Sequence, residues 1–95
     1  MRILTATVRV LDVGAGQGTQ SIRLARAGHQ MLAVEPDPGM RGAFRAALGT
    51  EPGQVRDRVM LREGSADNLV AVTGDEVYDI VLLMGVLMYL SAGRR

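Results

Sequence analysis

Apolar and polar residues follow two alternating periods along the chain, and each switch between them marks an element. Val8, Val10, Leu11 and Val13 form a β-branched, apolar stretch of strand length. Glycines follow at 14, 16 and 18. Thr19 to Ala27 then sets Ile22, Leu24 and Ala25 at helical spacing, with Arg23 and Arg26 turned to water and Gly28 as the glycine just past the helix end. Met31 to Val34 is short and wholly apolar, the signature of a parallel strand covered on both faces. Asp37 is placed to cap a second helix and Pro38 to open it, and Met40, Ala43, Phe44, Ala47 and Leu48 supply a core stripe that Gly49 closes. Thr50 to Arg58 reads as a polar connection with a turn at Pro52-Gly53. Val59 to Leu61 is a third strand, Asn68 to Val72 a short helix, Thr73 to Glu76 a loop, and Tyr78 to Met84 a fourth strand. Gly85 interrupts, and Val86 to Leu90 is expected to begin a helix. Met1 to Thr7 reads either as an extension of the first strand or as a leader.

Three strand-to-helix transitions predict right-handed crossovers, hence an α/β fold with a parallel sheet and helices on both faces. A chain of 95 residues makes one small domain, residues 1–95, near the lower size limit for a self-sufficient core. Only three residues are aromatic, so aliphatic side chains must build that core. The net charge is +1 with the arginines scattered, which gives no footprint for nucleic acid. Without cysteine there is neither a disulfide framework nor a thiolate metal site, in keeping with a reducing cytoplasm. The N-terminal residues do not read as a signal peptide, and the longest apolar run, Ile80 to Leu90, is about half a membrane span.

The candidate chemistry lies in the glycine turn, which delivers a helix N-terminus to whatever sits above it, and in Glu35 at the end of the second strand. A phosphate loop requires G-x-x-x-x-G-K-[ST], and Gly18 is followed by Thr19-Gln20, so that reading fails. The dinucleotide fingerprint G-x-G-x-x-G is weakened, because the spacing here is Gly14, Gly16, Gly18. A carboxylate at the carboxyl end of a strand, such as Glu35, can accept from both hydroxyls of a ribose.

Val10 to Gly18 (VLDVGAGQG), the acid Glu35, Gly64-Ser65-Ala66-Asp67 and Tyr78 to Leu83 (YDIVLL) together resemble the class I S-adenosylmethionine-dependent methyltransferases. These landmarks stand in the family's order between residues 8 and 90. The resemblance implies a Rossmann-like sheet of order 3-2-1-4, truncated relative to the seven-stranded family fold, and S-adenosylmethionine as cofactor. It implies that Gly14, Ala15 and Gly16 contact the cofactor's methionine part through backbone and that Asp12 orders its amino end, directly or through water. A buried Asp12 bonded to loop N–H groups is the structural alternative, as a solvated strand-end acid is for Glu35. Gly18 is expected to serve helix packing. Pro36 and Asp37 would flank the adenine, Asp67 would accept from its amino group and the Ala66 N–H would meet a ring nitrogen, with capping by Ser65 or Asp67 as the alternative. Met84 and Gly85 would lie beside the methionine part, Met84 serving through its backbone carbonyl. Met40 and Leu69 are read as core before adenine slot, and Tyr89 as packing before acceptor contact. His29 is read as a surface turn residue, and no general base is nominated.

The resemblance also implies an unpaired fourth-strand edge, open to a second copy or a partner chain. Three functions follow: the cofactor-binding part of a methyltransferase with an unidentified acceptor, a non-catalytic cofactor-binding piece, and a nicotinamide-binding oxidoreductase domain.

Overall fold

The computed structural model describes residues 7–90. Of the ambiguous segment Met1 to Thr7 only Thr7 falls among them; residues 1–6 and 91–95 lie outside the described residues. β-Branched and aliphatic runs form β1 (Arg9–Val13), β2 (Gln30–Val34), β3 (Val59–Arg62) and β4 (Ile80–Leu83), paired parallel in the order β3-β2-β1-β4. Each strand presents alternate residues to the two faces of the sheet. Val10, Met31 and Ala33 meet Ile22, Ala25 and Phe44 on one face. Leu11, Val13, Leu32 and Val34 meet Leu69 and Val72 on the other. Helices therefore cover both faces: α1 (Thr19–Arg26), α2 (Pro38–Leu48) and α3 (Gly53–Arg56) on the first, α4 (Leu69–Thr73) on the second.

The punctuation behaves largely as expected. The His29 N–H donates to Leu24 O and the Gly28 N–H to Ala25 O, the paired bonds that close a helix through a left-handed glycine. Asp37 caps α2, its Oδ2 accepting the Met40 N–H at 2.8 Å, with Pro38 in the first turn.

Four expectations need correction. Val86–Leu90 is not the start of a helix but β5, antiparallel to β4, and the sheet order becomes 3-2-1-4-5. Met84 and Gly85 both have positive φ, 52° and 81°, and form the two-residue loop whose twist suits a hairpin. The fourth-strand edge is therefore paired, and among the described residues β5 is the outer strand on that side of the sheet. Within the polar connection of residues 50–58, Val55 buries itself against the core and nucleates α3. On α2 only Phe44 is buried; Met40 is 42 % exposed, because the helix meets the sheet through Phe44 and Leu48 alone. His29 is no surface residue: it is buried, and its Nδ1 accepts the Val8 N–H at 3.2 Å, which fixes the entry to β1.

Candidate functional site

β1 ends at Val13, and five residues later the chain runs back as α1. That reversal puts Gly14, Gly16 and Gly18 at φ values of 74°, 61° and 87°, where a side chain is disfavoured. Gly18 has a second constraint, since a Cβ there would stand 2.6 Å from the Phe44 ring. The N–H groups of Gly14, Ala15 and Gly16 are engaged within the protein. Gly14 and Ala15 donate to Val34 O at 2.8 and 3.2 Å, and Gly16 donates to Glu35 Oε1 at 2.7 Å. A pyrophosphate is held by such groups when they are free. This turn offers none of those three to an anion.

Glu35 is held from several sides. Its Oε2 accepts the Asp37 N–H at 2.9 Å, and Arg41 Nη1 clamps the turn by donating to Glu35 O and Pro36 O at 3.0 and 2.8 Å. The side chain is buried, so it is not a solvated strand-end acid. Each carboxylate oxygen accepts one bond here and keeps a further lone pair for a ligand.

Asp12 points from β1 toward α1, where Ser21 Oγ donates to its Oδ2 at 2.8 Å. It is bonded to that hydroxyl and not, as the structural alternative had it, to loop N–H groups. Among the described residues, Asp12 Oδ1 is the one buried side-chain nitrogen or oxygen with no hydrogen-bond partner. Burial pushes the Asp12 carboxyl above the ordinary carboxylate range; the Ser21 hydrogen bond opposes this, and the nearby Glu35 charge adds to it. A buried, partly unsatisfied carboxylate calls for a cation.

Two cavities meet at this end of the sheet. The first, of about 190 Å³, is walled by Gly14, Glu35, Pro36, Ser65, Ala66 and Met84. The second, of about 250 Å³, is walled by Asp12, Gly14, Ala15, Thr19, Gln20 and Met84. Gly14 and Met84 belong to both walls, so the two cavities share a boundary. Met84 is 75 % exposed and its N–H donates to Val13 O at 2.8 Å, while its Cγ would lie 3.1 Å from a Cβ on Gly14. The second cavity places the lone Asp12 oxygen's residue opposite the first turn of α1, whose N–H groups and positive dipole end favour an anion. A carboxylate on one side and a helix N-terminus on the other complement a zwitterion.

Of the residues nominated from sequence, Asp12, Gly14, Ala15, Glu35, Pro36, Ala66 and Met84 line these cavities, and Gly16 joins them through Glu35. Asp67 does not. It is exposed in a 3-10 turn (Ala66–Asn68) whose cap is Ser65, with Ser65 Oγ accepting the Asp67 N–H at 3.3 Å and Asn68 Oδ1 accepting the Ser65 N–H at 2.8 Å. Leu69 packs in the second core and Met40 lies on the surface; neither lines the cavities. Sequence reasoning missed Ser21. It shares the buried stripe of α1 with Ile22 and Ala25, and a polar residue on such a stripe signals a buried partner. A larger hollow of about 340 Å³ lies at the amino end of the sheet. Its Arg58, Arg62 and Tyr78 side chains all donate to protein acceptors, so it makes no comparable demand for a ligand.

Residues 10–95 match the family described as methyltransferase domain. The chain belongs to that family. This favours S-adenosylmethionine over a nicotinamide dinucleotide, in agreement with the engaged loop N–H groups. A ubiquinone biosynthesis O-methyltransferase of Azorhizobium caulinodans is 34 % identical over 84 residues, 88 % of this chain and 31 % of that protein. An uncharacterized methyltransferase of Mycobacterium tuberculosis is 49 % identical over 43 residues, 45 % of this chain and 18 % of that protein. The chain thus spans about a third or less of the length of these relatives. Among solved structures, the glycopeptide N-methyltransferase MtfA complexed with S-adenosyl-L-methionine superposes with a TM-score of 0.71 at 28 % identity, over 86 % of this chain and 35 % of that one. The precorrin-6y C5,15-methyltransferase of Geobacter metallireducens shares the fold, with a TM-score of 0.69 at 24 % identity over 96 % of this chain and 44 % of that one. The fold is thus the Rossmann-like sheet of S-adenosylmethionine-dependent methyltransferases. No helix among the described residues is long and apolar enough to cross a membrane.

Proposed function

We propose that the chain binds S-adenosylmethionine across the carboxyl ends of β1, β2 and β4 and forms the cofactor-binding part of a methyltransferase. The observation that carries this reading is the unpartnered, buried Oδ1 of Asp12, a residue that lines a cavity reaching the start of α1. The cofactor's amino-acid tail has the two charges this arrangement complements. Asp12 would receive its ammonium group, and the first turn of α1 its carboxylate. Glu35 would accept from the two ribose hydroxyls with its remaining lone pairs, held in place by the Gly16 and Asp37 N–H groups. Gly14, Ala15 and Gly16 would contribute bare backbone surface, not N–H donors. Pro36 and Ala66 would flank the adenine, and Met84 would border the junction between nucleoside and amino acid. Asp67, as the resemblance implies, would contact the adenine amino group.

The cofactor supplies, when bound, a methyl group already activated by a sulfonium. What remains for protein side chains is to orient the acceptor and exclude water, with a base required only where the acceptor must lose a proton. One observation favours a second reading, cofactor binding without turnover by this chain alone. The titratable side chains lining the two cavities are Asp12 and Glu35, and both are assigned to the cofactor. We place a completing second chain at the outer edge of β5, where Val86, Leu87 and Met88 are all more than half exposed. A cytoplasmic setting goes with the absence of cysteine.

Isothermal titration with S-adenosylhomocysteine tests the binding. A saturable heat that weakens in Glu35→Ala is expected, whereas a folded chain with no heat would overturn the proposal. A methyl-transfer assay on the same sample separates turnover from binding alone.

A further inference from the structure

We infer that Ser21 is a positioning residue that makes Asp12 a selective receptor for the ammonium group of the cofactor's amino-acid tail, an inference that rests on the function proposed above. Ser21 is fully buried on the first turn of α1, and its hydroxyl donates to Asp12 Oδ2 at 2.8 Å. That bond pins one carboxylate oxygen and thereby fixes the plane and the aim of the other, the Oδ1 that no protein group satisfies. A carboxylate free to rotate in the same space would divide its contacts between both oxygens, and the ordering would have to occur on binding. The hydroxyl also supplies a donor to the ionised form, which opposes the upward push of burial on the Asp12 carboxyl. Nothing comparable holds Glu35, whose two oxygens are positioned by backbone N–H groups that no side-chain substitution removes. Selectivity for the amino-acid end is therefore vested in a side chain of the helix, and recognition of the sugar in the loop and turn backbone.

The test compares two ligands in the 95-residue chain: S-adenosylhomocysteine and its analogue lacking only the α-amino group. Ser21→Ala is expected to weaken the first by about tenfold, the scale of one hydrogen bond to a charged group. It should leave the analogue unchanged, and Ser21→Thr should restore binding of the amine-bearing ligand. An equal loss for both ligands would mark Ser21 as a packing residue only and overturn the inference, as would no loss for either. If Ser21→Ala fails to fold, Ser21→Cys, which keeps the volume and weakens the donor, carries the same comparison. A folded wild type that binds neither ligand removes the proposed function itself, a result distinct from a wild type that binds both equally, which overturns the role of Asp12 and Ser21 alone.

Discussion

At the amino end of the sheet, Arg9 lies over the Tyr78 ring at 5.0 Å, the Tyr78 hydroxyl donates to Glu76 at 2.6 Å, and Glu76 in turn meets Arg62, from the last position of β3, at 3.4 Å. At the carboxyl end, Asp12 keeps an oxygen with no partner at all, although it is far more deeply buried. Both ends hold ionisable groups, but they resolve them differently. Tyr78, Glu76 and Arg62 are met by one another's side chains, and the shifts there record that pairing: burial and the adjacent Glu76 push the Tyr78 phenol up to about 12, while the Tyr78 hydroxyl and Arg62 hold Glu76 low. At the carboxyl end the burial of Asp12 stays partly uncompensated, which is destabilising for the protein alone and useful to a protein that binds a cation. The size of a hollow does not separate the two ends, since among the described residues the larger one leaves no buried side-chain nitrogen or oxygen unsatisfied. The unsatisfied atom does.

The strongest way to break this contrast acts on the scaffold beneath the carboxyl end. Gly18→Ala must place a Cβ 2.6 Å from Phe44 at a φ of 87°, and should destabilise the fold by roughly 3 kcal/mol, read from denaturant midpoints, with cofactor binding lost in proportion to unfolding. Next comes Glu35→Ala. It should weaken S-adenosylhomocysteine by about a hundredfold in titration, because two charge-assisted ribose bonds and the Gly16 tether go together. Asp12→Asn sharpens the comparison by moving affinity and stability in opposite directions. Its affinity for the amine-bearing ligand should fall by about tenfold.

The stability of the Asp12→Asn protein at neutral pH should equal or exceed that of the wild type. In the folded chain burial raises the Asp12 pKa above its ordinary value, so the folded chain binds the proton more tightly than the unfolded chain. Wild-type stability from this group therefore falls as pH rises from about 4 through the folded-state value, and the variant escapes that loss. Denaturation midpoints at pH 4 and pH 7 check the sign; a variant that loses ground as the pH rises would contradict it. Smallest is the effect of Tyr78→Phe at the other end, which removes a pair with Glu76 and should leave ligand affinity within about twofold, since the site is remote. A large loss of affinity there would erase the distinction between the two ends.

The hairpin has its own test. Met84 sits at a φ of 52°, a conformation that asparagine tolerates better, so Met84→Asn should stabilise the chain by roughly 0.5 kcal/mol if Val86–Leu90 is a strand. No gain, with a rise in helical circular dichroism, would speak for the helix expected from sequence.

Local chemistry alone determined the first four strand segments, the glycine turn, the caps at Gly28 and Asp37, and the place of Glu35, since these depend on residues a few positions apart. Tertiary structure decided the rest. The hairpin at Met84-Gly85 forms because β4 offers β5 an edge, and Val86 to Leu90 is too short and uniformly apolar for its period to reveal a strand. His29 is buried because β1 begins beside it, and Ser65, not Asp67, takes the cap of the 3-10 turn. Ser21 reaches Asp12 across nine positions of sequence, and the loop N–H groups find Val34 and Glu35 only once β2 lies alongside β1. Which polar atom remains unsatisfied depends on all the partners in space at once. No window of sequence contains that information.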